Sequence, residues 1–201
     1  MKVEVQKQTN SQDTKDRIYC AAVEILRTKG YAYLTVSNVC KLAGVSNGTF
    51  FYHFKTKDEL LSFYTYDYFA QFREEHSFGE AVRGKSFEEK IIIFYDYWAD
   101  YMNELGLEFF SNFYHTKNSS LDVRLWNRRE PVTIWNYPGD CLSAAETEGF
   151  LKEGMSVIHC AEVLGTLMKG IAFDWCLSNG AFDMHDRIKE VMIPYLDSIC
   201  K

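Results

Sequence analysis

The sequence predicts an all-α fold of about nine helices. Apolar residues recur at spacings of three and four through most of the chain, and Ser, Thr or Asp precedes several of these segments, where a helix N-cap is expected. The 201 residues include only three prolines and 12 glycines, which suits long helices. We expect two domains, one of residues 1–56 and one of residues 57–201.

The first helix is expected over residues 14–29. Its apolar side chains, from Ile18 to Leu26, recur on one face, and Gly30 ends it. Residues 1–12 carry no apolar signal-peptide core and are expected to form a disordered arm. The chain is thus expected to begin with a polar arm that leads into an amphipathic helix.

Residues 35–60 contain the most specific local pattern in the chain. Thr35 is suited to cap one short helix, Gly44 to end it in the left-handed conformation, and Ser46 to cap a second helix over residues 47–54. Two short helices joined by a Gly-containing turn are the arrangement of the DNA-binding helix-turn-helix, which with the first helix makes a three-helix domain. A plain helical hairpin with a polar outer face is the alternative.

A helical wheel of the second short helix separates two faces. Phe50 and Phe54 point one way and must dock on the preceding helix, because so short a helix is unstable alone. The opposite face is small and polar enough to enter a major groove about 12 Å wide. Its members are Asn47, Gly48, Thr49, Tyr52 and His53.

The next helix is expected over residues 57–73, with Thr56 and Glu59 as a capping box. Lys57 combines a cationic side chain with a helix N-terminus, and both attract phosphate. This helix joins the N-terminal domain to the rest of the chain. We expect it to transmit binding in one domain to the other.

Residues 35–60 and the helix before them resemble the N-terminal domain of the tetracycline-repressor (TetR) family of transcriptional regulators. The matching positions are Thr35, Val39, Ala43, Gly44, Val45, Ser46, Gly48, Thr49, Phe50, Phe54, Lys57 and Leu60. The resemblance covers about the first third of the chain and implies a homodimeric, ligand-responsive protein, usually a repressor, that binds a palindromic double-stranded DNA operator. The DNA-binding residues that follow from it and from the wheel are Thr35, Val36, Ser37, Ser46, Asn47, Gly48, Thr49, Phe51, Tyr52, His53 and Lys57.

The chain departs from the family pattern at two of these positions. Phe51 stands where the family usually has a tyrosine whose hydroxyl contacts phosphate, so Tyr52 and His53 are expected to carry more of the anchoring. Ser37 is too short to reach many base edges. Base reading is therefore expected to fall mainly on Asn47 and Thr49.

The charge distribution agrees with one end of the molecule facing DNA. The whole chain has a formal net charge of −6, but residues 1–60 carry +3 and residues 61–201 carry −9. A mildly basic end on an acidic body favours one orientation on a polyanion. The modest positive charge also predicts few phosphate contacts per subunit, so that affinity depends on pairing two subunits.

The C-terminal domain is expected to contain mostly buried helices. After a loop over residues 76–86, Ser86 and Glu89 form a capping box for a helix over residues 87–103 that is apolar nearly all round. A shorter aromatic helix is expected over residues 107–115. The start of the following helix is open between Pro131 and a point after Gly139, because Pro138 would kink the longer version.

Aromatic residues are unusually dense in residues 61–137. Two interpretations remain open: an aromatic core, or an apolar cavity with a few polar tips that binds a small molecule. The family resemblance implies an effector in this domain, here expected to be apolar or aromatic. The candidate pocket residues are Tyr66, Tyr95, Trp98, Met102, Phe110, Phe113, Tyr114, Trp126, Trp135 and Phe173.

The last two helices are predicted after Ser156 and Asp183. Their apolar seams suit a four-helix interface in a homodimer, the assembly that the family resemblance also implies. The alternative is that both seams face the chain's own core. The candidate interface residues are Ala161, Leu164, Met168, Ile171, Trp175, Ile188, Val191, Met192 and Tyr195.

Several other classes of function lack a sequence signal. No Gly-rich phosphate loop, nucleophile elbow or metal-ligand spacing is present, so we expect no catalytic residues, metal or other cofactor. Six cysteines without a CxxC pair, and no apolar run long enough to span a membrane, predict a reduced cytoplasmic protein. The alternative function is a helical small-molecule carrier or enzyme whose N-terminal hairpin does not bind DNA.

Overall fold

The computed structural model of the chain describes residues 2–114, 121 and 133–201. These residues form ten α-helices, one 3₁₀ turn and an isolated β-bridge, which confirms the predicted all-α class. They divide into two compact units, residues 1–64 and residues 65–201. No helix in the described part of the chain is both long and apolar enough to cross a membrane.

The N-terminal unit is a three-helix domain followed by the start of a fourth helix. Helix α2 packs on α1, and α3 packs on α2. The elements are α1 (Lys2–Lys29), the 3₁₀ turn (Tyr31–Tyr33), α2 (Val36–Ala43), α3 (Asn47–His53) and α4 (Lys57–Glu75), the last of which continues into the second unit.

Helix α1 begins earlier than the sequence pattern predicts. The expected start was residue 14, whereas the helix begins at Lys2 and includes the residues that were expected to form a disordered arm. Neither glycine nor proline occurs between residues 1 and 29. Because nothing in this segment opposes helical backbone geometry, the helix can extend beyond its amphipathic part.

The predicted caps of the two short helices are present. The Thr35 hydroxyl accepts the Asn38 N–H at 3.1 Å, and the Ser46 hydroxyl accepts the Thr49 N–H at 3.0 Å. Gly44 ends α2 with φ of 65°, the left-handed conformation in which glycine avoids Cβ strain. These local contacts fix the turn between α2 and α3.

The capping box expected at the start of α4 differs from its prediction in one contact. The Thr56 hydroxyl accepts the Glu59 N–H at 3.0 Å, as expected. The Glu59 carboxylate, however, accepts the N–H of Lys55 at 2.6 Å rather than that of Thr56. The turn before α4 therefore begins one residue earlier than the motif indicates.

The C-terminal unit is built around α6. This helix contacts α5, α7, α8 and α10, and α9 contacts α7, α8 and α10. The elements are α5 (Phe78–Ala81), α6 (Phe87–Leu105), α7 (Leu107–Phe113), α8 (Thr133–Thr147), α9 (Val157–Leu177) and α10 (Met184–Ile199). A β-bridge between Leu151 and Cys200 holds the end of the chain against the segment before α9.

Two elements of this unit depart from the sequence-based boundaries. The expected loop over residues 76–86 contains the one-turn helix α5, whose Phe78 is buried. Helix α8 begins at Thr133, so Pro138 lies inside it. Proline at this position removes one backbone hydrogen bond to the preceding turn and favours a kink in the helix.

The core of the C-terminal unit is largely aromatic. Phe69 of α4 packs edge-on against Trp98 of α6, with ring centroids 4.7 Å apart, and against Phe94 at 5.5 Å. Phe110 of α7 lies 6.0 Å from both Trp98 and Tyr101. Edge-to-face pairs such as these add to the stabilisation from burial.

Candidate nucleic-acid interface and effector-binding core

Helix α3 has one buried face and one exposed face. Phe50 and Phe54 are 0% and 1% exposed, and their ring centroids lie 6.0 Å apart. Tyr52, on the other side, is 72% exposed. The two phenylalanines anchor the helix and leave the opposite face open.

All eleven predicted DNA-contact residues have some exposure. The exposed ones are Thr35, Ser37, Ser46, Asn47, Gly48, Phe51 and Tyr52, and the partly buried ones are Val36, Thr49, His53 and Lys57. They come from α2, α3 and the first turn of α4. The structure leaves each of them available to a ligand of this unit, which is a requirement for the predicted contacts.

Two of these residues are positioned by contacts that the sequence did not reveal. The ammonium of Lys57 lies 4.2 Å from the ring centre of Tyr31, a cation–π contact. This contact holds the charge at the first turn of α4. Partial burial and the nearby charge of Lys15 lower the pKa of His53, which favours a neutral imidazole that makes hydrogen bonds rather than ion pairs.

Arg17 of α1 has a structural role that its place on the helical wheel does not indicate. Its guanidinium donates to the carbonyl oxygens of Ala43 and Gly44, at the C-terminus of α2. A cation at this end of a helix complements the exposed carbonyls and the helix dipole. Arg17 therefore ties α1 to the turn of the helix-turn-helix.

Most of the candidate effector residues lie together in the core of the C-terminal unit. The buried ones are Tyr95, Trp98, Met102, Phe110, Phe113 and Tyr114, and Tyr66 is partly buried. The Tyr66 ring centroid lies 6.4 Å from those of both Trp98 and Phe113. These side chains form one aromatic cluster at the junction of α4, α6 and α7.

One candidate lies apart from this cluster, and two fall outside the described residues. Phe173 is 42% exposed and lies on the outer side of α9, apart from the buried cluster. The reason is helical phase, since Phe173 stands opposite the buried stripe of Leu164 and Met168. Trp126 and the side chain of Trp135 lie outside the described residues.

The polar tips of the aromatic cluster fall into two groups. Tyr101 donates its hydroxyl to the Thr65 carbonyl at 2.9 Å. The Tyr95 hydroxyl and the Trp98 indole N–H are buried without a hydrogen-bond partner among the described residues. The indole N–H lies beside the Tyr114 hydroxyl without the geometry of an ordinary hydrogen bond, and burial raises the pKa of Tyr114.

The predicted dimer seam is largely buried within the single chain. Six of its members are buried, Leu164, Met168, Ile171, Trp175, Ile188 and Met192, and the other three, Ala161, Val191 and Tyr195, are partly buried. A strong apolar stripe marks the most buried side of a helix whatever it packs against, and here that side faces α8 and the neighbouring helices.

The outer side of α9 and α10 carries a second set of apolar residues. On α9 they lie within an arc of about 100°, opposite the buried stripe. Their exposed fractions are 64% for Ile158, 42% for Phe173, 70% for Leu177 and, on α10, 42% for Ile193. We call these four residues the outer patch.

The six cysteines are free thiols that differ in their exposure. Cys40, Cys141 and Cys160 are buried, Cys176 and Cys200 are partly buried, and Cys20 is exposed. Within the described residues, no three His, Cys, Asp or Glu side chains are grouped so as to hold a metal ion.

Known proteins resemble both units. Residues 18–62 match the family model described as bacterial regulatory proteins, tetR family. Over 49 residues the chain is 45% identical to the HTH-type transcriptional regulator CymR of Pseudomonas putida, a match covering 24% of each chain. It is 23% identical to the fatty acid metabolism regulator protein of Bacillus subtilis (strain 168) over 170 residues, 84% of this chain and 86% of the relative.

A solved structure shares the fold over almost the whole length. It is the Thermus thermophilus FadR, a TetR-family transcriptional repressor in complex with lauroyl-CoA, which is 21% identical. The TM-score is 0.74, and the match covers 90% of this chain and 93% of that one. The N-terminal unit thus matches the tetR family model over residues 18–62, and the chain as a whole shares its helical fold with a TetR-family repressor.

Proposed function

We propose that the protein is a homodimeric repressor that binds a palindromic operator and releases it when a long-chain acyl-CoA binds the C-terminal unit. The observation that carries the DNA part of the proposal is the open face of α3, where Tyr52 is 72% exposed above a buried Phe50. A helix with this division can enter a major groove without unpacking its own domain.

The contacts on that face have distinct roles in the proposal. Asn47 and Thr49, in the first turn of α3, read base edges. Tyr52, His53 and Lys57 hold the phosphate backbone, Lys57 with help from the N-terminus of α4. Because only a few cations contribute per subunit, tight binding requires two subunits on successive major grooves, about 34–36 Å apart.

The dimer is proposed to form through the outer patch rather than through the buried seam. Ile158, Phe173 and Leu177 are exposed on one side of α9, and α10, which packs on α9, exposes Ile193. Exposed apolar residues on two helices that pack together are one feature of an interaction surface. Two such helix pairs related by a two-fold axis would form a four-helix interface.

The effector class rests on the relatives and on the aromatic core. One relative is a fatty acid metabolism regulator, and the solved FadR structure holds lauroyl-CoA. The cluster of Trp98, Phe110 and their neighbours offers the apolar surroundings that an acyl chain prefers. This is more specific than the apolar or aromatic effector expected from sequence.

Fluorescence anisotropy with DNA from upstream of the protein's own gene tests the proposal. Affinity should fall steeply with rising salt, and lauroyl-CoA should release the DNA. Tyr52→Ala and Lys57→Ala should weaken all sequences alike, and Lys57→Ala should reduce the salt slope by about one per subunit. Asn47→Ala should instead reduce the discrimination between base pairs, by about 1–3 kcal/mol of binding free energy for each base pair that Asn47 contacts.

Lys152→Ala is the matched charge control, because Lys152 lies in the C-terminal unit, where its ammonium contacts the Ser198 carbonyl at 2.7 Å. It should leave the salt slope unchanged. A protein that binds acyl-CoA but shows no sequence-selective DNA affinity would support the alternative carrier function. Unchanged DNA affinity in Asn47→Ala, Tyr52→Ala and Lys57→Ala would contradict the assigned contacts.

Sedimentation velocity tests the dimer separately. Leu177→Glu combined with Phe173→Glu should convert the protein to monomers, because charges in a closed apolar interface are strongly unfavourable. Phe150→Glu is the control, since Phe150 is 52% exposed but lies outside the outer patch. A dimer that survives the double substitution would place the interface elsewhere.

A further inference from the structure

Two unpaired hydrogen-bond donors lie in the aromatic core. The Tyr95 hydroxyl and the Trp98 indole N–H lack a partner among the described residues, although the side chains are 0% and 1% exposed. Buried polar groups in folded proteins are nearly always paired, and an unpaired donor lowers stability. A core that keeps two of them therefore needs an explanation.

Another buried tyrosine on the same helix does have a hydrogen-bond partner. Tyr95 and Trp98 stand three residues apart on α6, which puts them on neighbouring positions of one side of the helix. Tyr101, on the same helix and also 0% exposed, donates to the Thr65 carbonyl at 2.9 Å. Among the residues that the structure describes, the fold thus supplies an acceptor for one of these two buried tyrosines of α6 and none for the other.

The chemistry of the unpaired atoms restricts what can satisfy them. The indole N–H can only donate, and a phenol hydroxyl donates readily. Phe94, at 5.3 Å from Tyr95, and Phe110, at 6.0 Å from Trp98, carry no oxygen, and the Tyr114 hydroxyl beside the indole lacks the geometry of an ordinary hydrogen bond with it. The missing partner is therefore an acceptor atom inside an otherwise apolar environment.

We propose that Tyr95 and Trp98 are specificity residues of the effector site, and that they hydrogen-bond the carbonyl oxygen of a bound acyl thioester. The proposal rests on the proposed function, because it takes acyl-CoA as the effector class. A thioester carbonyl is an acceptor without a donor, attached to an apolar chain. It satisfies both donors and leaves no donor of its own unpaired.

Calorimetric titration of the full-length protein with two ligands tests this. The ligands are lauroyl-CoA and S-dodecyl-CoA, a thioether with a methylene in place of the carbonyl. The wild-type protein should bind the thioester at least about tenfold more tightly. That ratio should fall several-fold in Tyr95→Phe, and should also fall when Trp98 is replaced by the isosteric benzothienylalanine, which lacks only the N–H.

Thermal unfolding of the ligand-free protein provides an independent readout. Tyr95→Phe removes an unpaired hydroxyl and should raise the Tm by a few degrees. The control Tyr101→Phe removes a paired hydroxyl, so it should lower the Tm and leave the ligand ratio unchanged. A structural role alone would not change the ratio in one variant and spare it in the other.

Three outcomes would overturn the inference. Equal affinity of the wild-type protein for both ligands would do so while leaving acyl-CoA as the effector. An unchanged ratio in both donor-deleted proteins, or a Tm that falls in Tyr95→Phe as in Tyr101→Phe, would show that the donors have other partners. If lauroyl-CoA does not bind the wild-type protein at all, the proposed effector fails together with the inference.

Discussion

The two units place their polar groups differently. In the N-terminal unit, Thr35 and Ser46 cap helices through contacts three residues away, and the polar face of α3 is open. In the C-terminal unit, tyrosine and tryptophan are enclosed among other rings, and two of their donors lack partners among the described residues. The N-terminal unit thus exposes polar groups to solvent, whereas the C-terminal unit encloses them among aromatic rings.

This difference indicates how each unit can be altered. A well-exposed residue on the open face of α3, such as Tyr52, supports little packing, so its substitution should change DNA binding with little change in stability. A residue in the aromatic core of the C-terminal unit contributes to both packing and recognition. Substitutions at two neighbouring residues that differ only in burial or in hydrogen bonding therefore separate effects on binding from effects on stability.

The largest effect is expected from Phe50→Ala. Phe50 is 0% exposed and fixes α3, so the substitution should lower the free energy of unfolding by about 3–5 kcal/mol. The adjacent Phe51 is 47% exposed, and Phe51→Ala should cost far less. Chemical denaturation of both variants measures the difference. Equal losses would mean that α3 is not divided into the two faces described.

The next largest effect is the difference in stability between Gly44→Ala and Gly48→Ala. At Gly44, φ is 65° and an added Cβ would lie 3.2 Å from Arg17, so we expect a loss of about 1–2 kcal/mol. At Gly48 an added Cβ meets only Ser46 Oγ at 3.6 Å, so alanine should stabilise the helix slightly.

The methyl group that Gly48→Ala adds would lie on the face proposed to meet DNA. The substitution should therefore weaken operator binding while it raises the Tm. Thermal unfolding and anisotropy on the same sample measure both. Unimpaired DNA binding by Gly48→Ala would argue that this face does not approach the duplex closely.

The helix-turn-helix could be predicted from sequence because its determinants are local. Thr35, Gly44 and Ser46 each act on a backbone group within four residues, and the structure has each contact as predicted. The Lys57–Tyr31 and Arg17–Ala43 contacts join residues 26 apart in sequence. Helical periodicity carries no information about such pairs.

The C-terminal unit was predictable in class but not in the direction its residues face. The seam through Leu164, Met168 and Ile171 was correctly identified as apolar, but a stripe alone does not say whether it meets the chain's own core or a partner. Only the packed structure shows that these three residues are buried within the chain, whereas Leu177 on the other side of the same helix is exposed. The unpaired state of the Tyr95 hydroxyl likewise depends on contacts across several helices.

Phe51→Tyr should produce a smaller effect, and in the opposite direction. The added hydroxyl would stand where the family's tyrosine contacts phosphate, and Phe51 is 47% exposed, so the new group costs no burial. One additional hydrogen bond, worth about 0.5–1.5 kcal/mol, should strengthen binding a few-fold for all sequences alike. Anisotropy with operator and scrambled DNA measures it. A loss of affinity would indicate that this ring faces something other than phosphate.

The smallest effect is expected from acid. Glu89, which accepts the Ser86 N–H at 2.9 Å, and Asp183, which caps α10, have lowered pKa values because backbone N–H groups bond their carboxylates. Their contribution is complete above the ordinary pKa and is lost as pH falls through the lowered one. The Tm should therefore fall slightly below about pH 4, and less so in Glu89→Gln, whose amide oxygen still accepts the bond. An identical pH profile in that variant would contradict the assignment.

Hydrogen–deuterium exchange with and without operator DNA tests the central claim most directly, because it requires no substitution. Backbone amides of α2, α3 and the first turn of α4 should gain protection on DNA binding, with the strongest change at residues 47–53. Protection that is absent from α3, while the DNA is demonstrably bound, would contradict the assignment of its open face to the duplex.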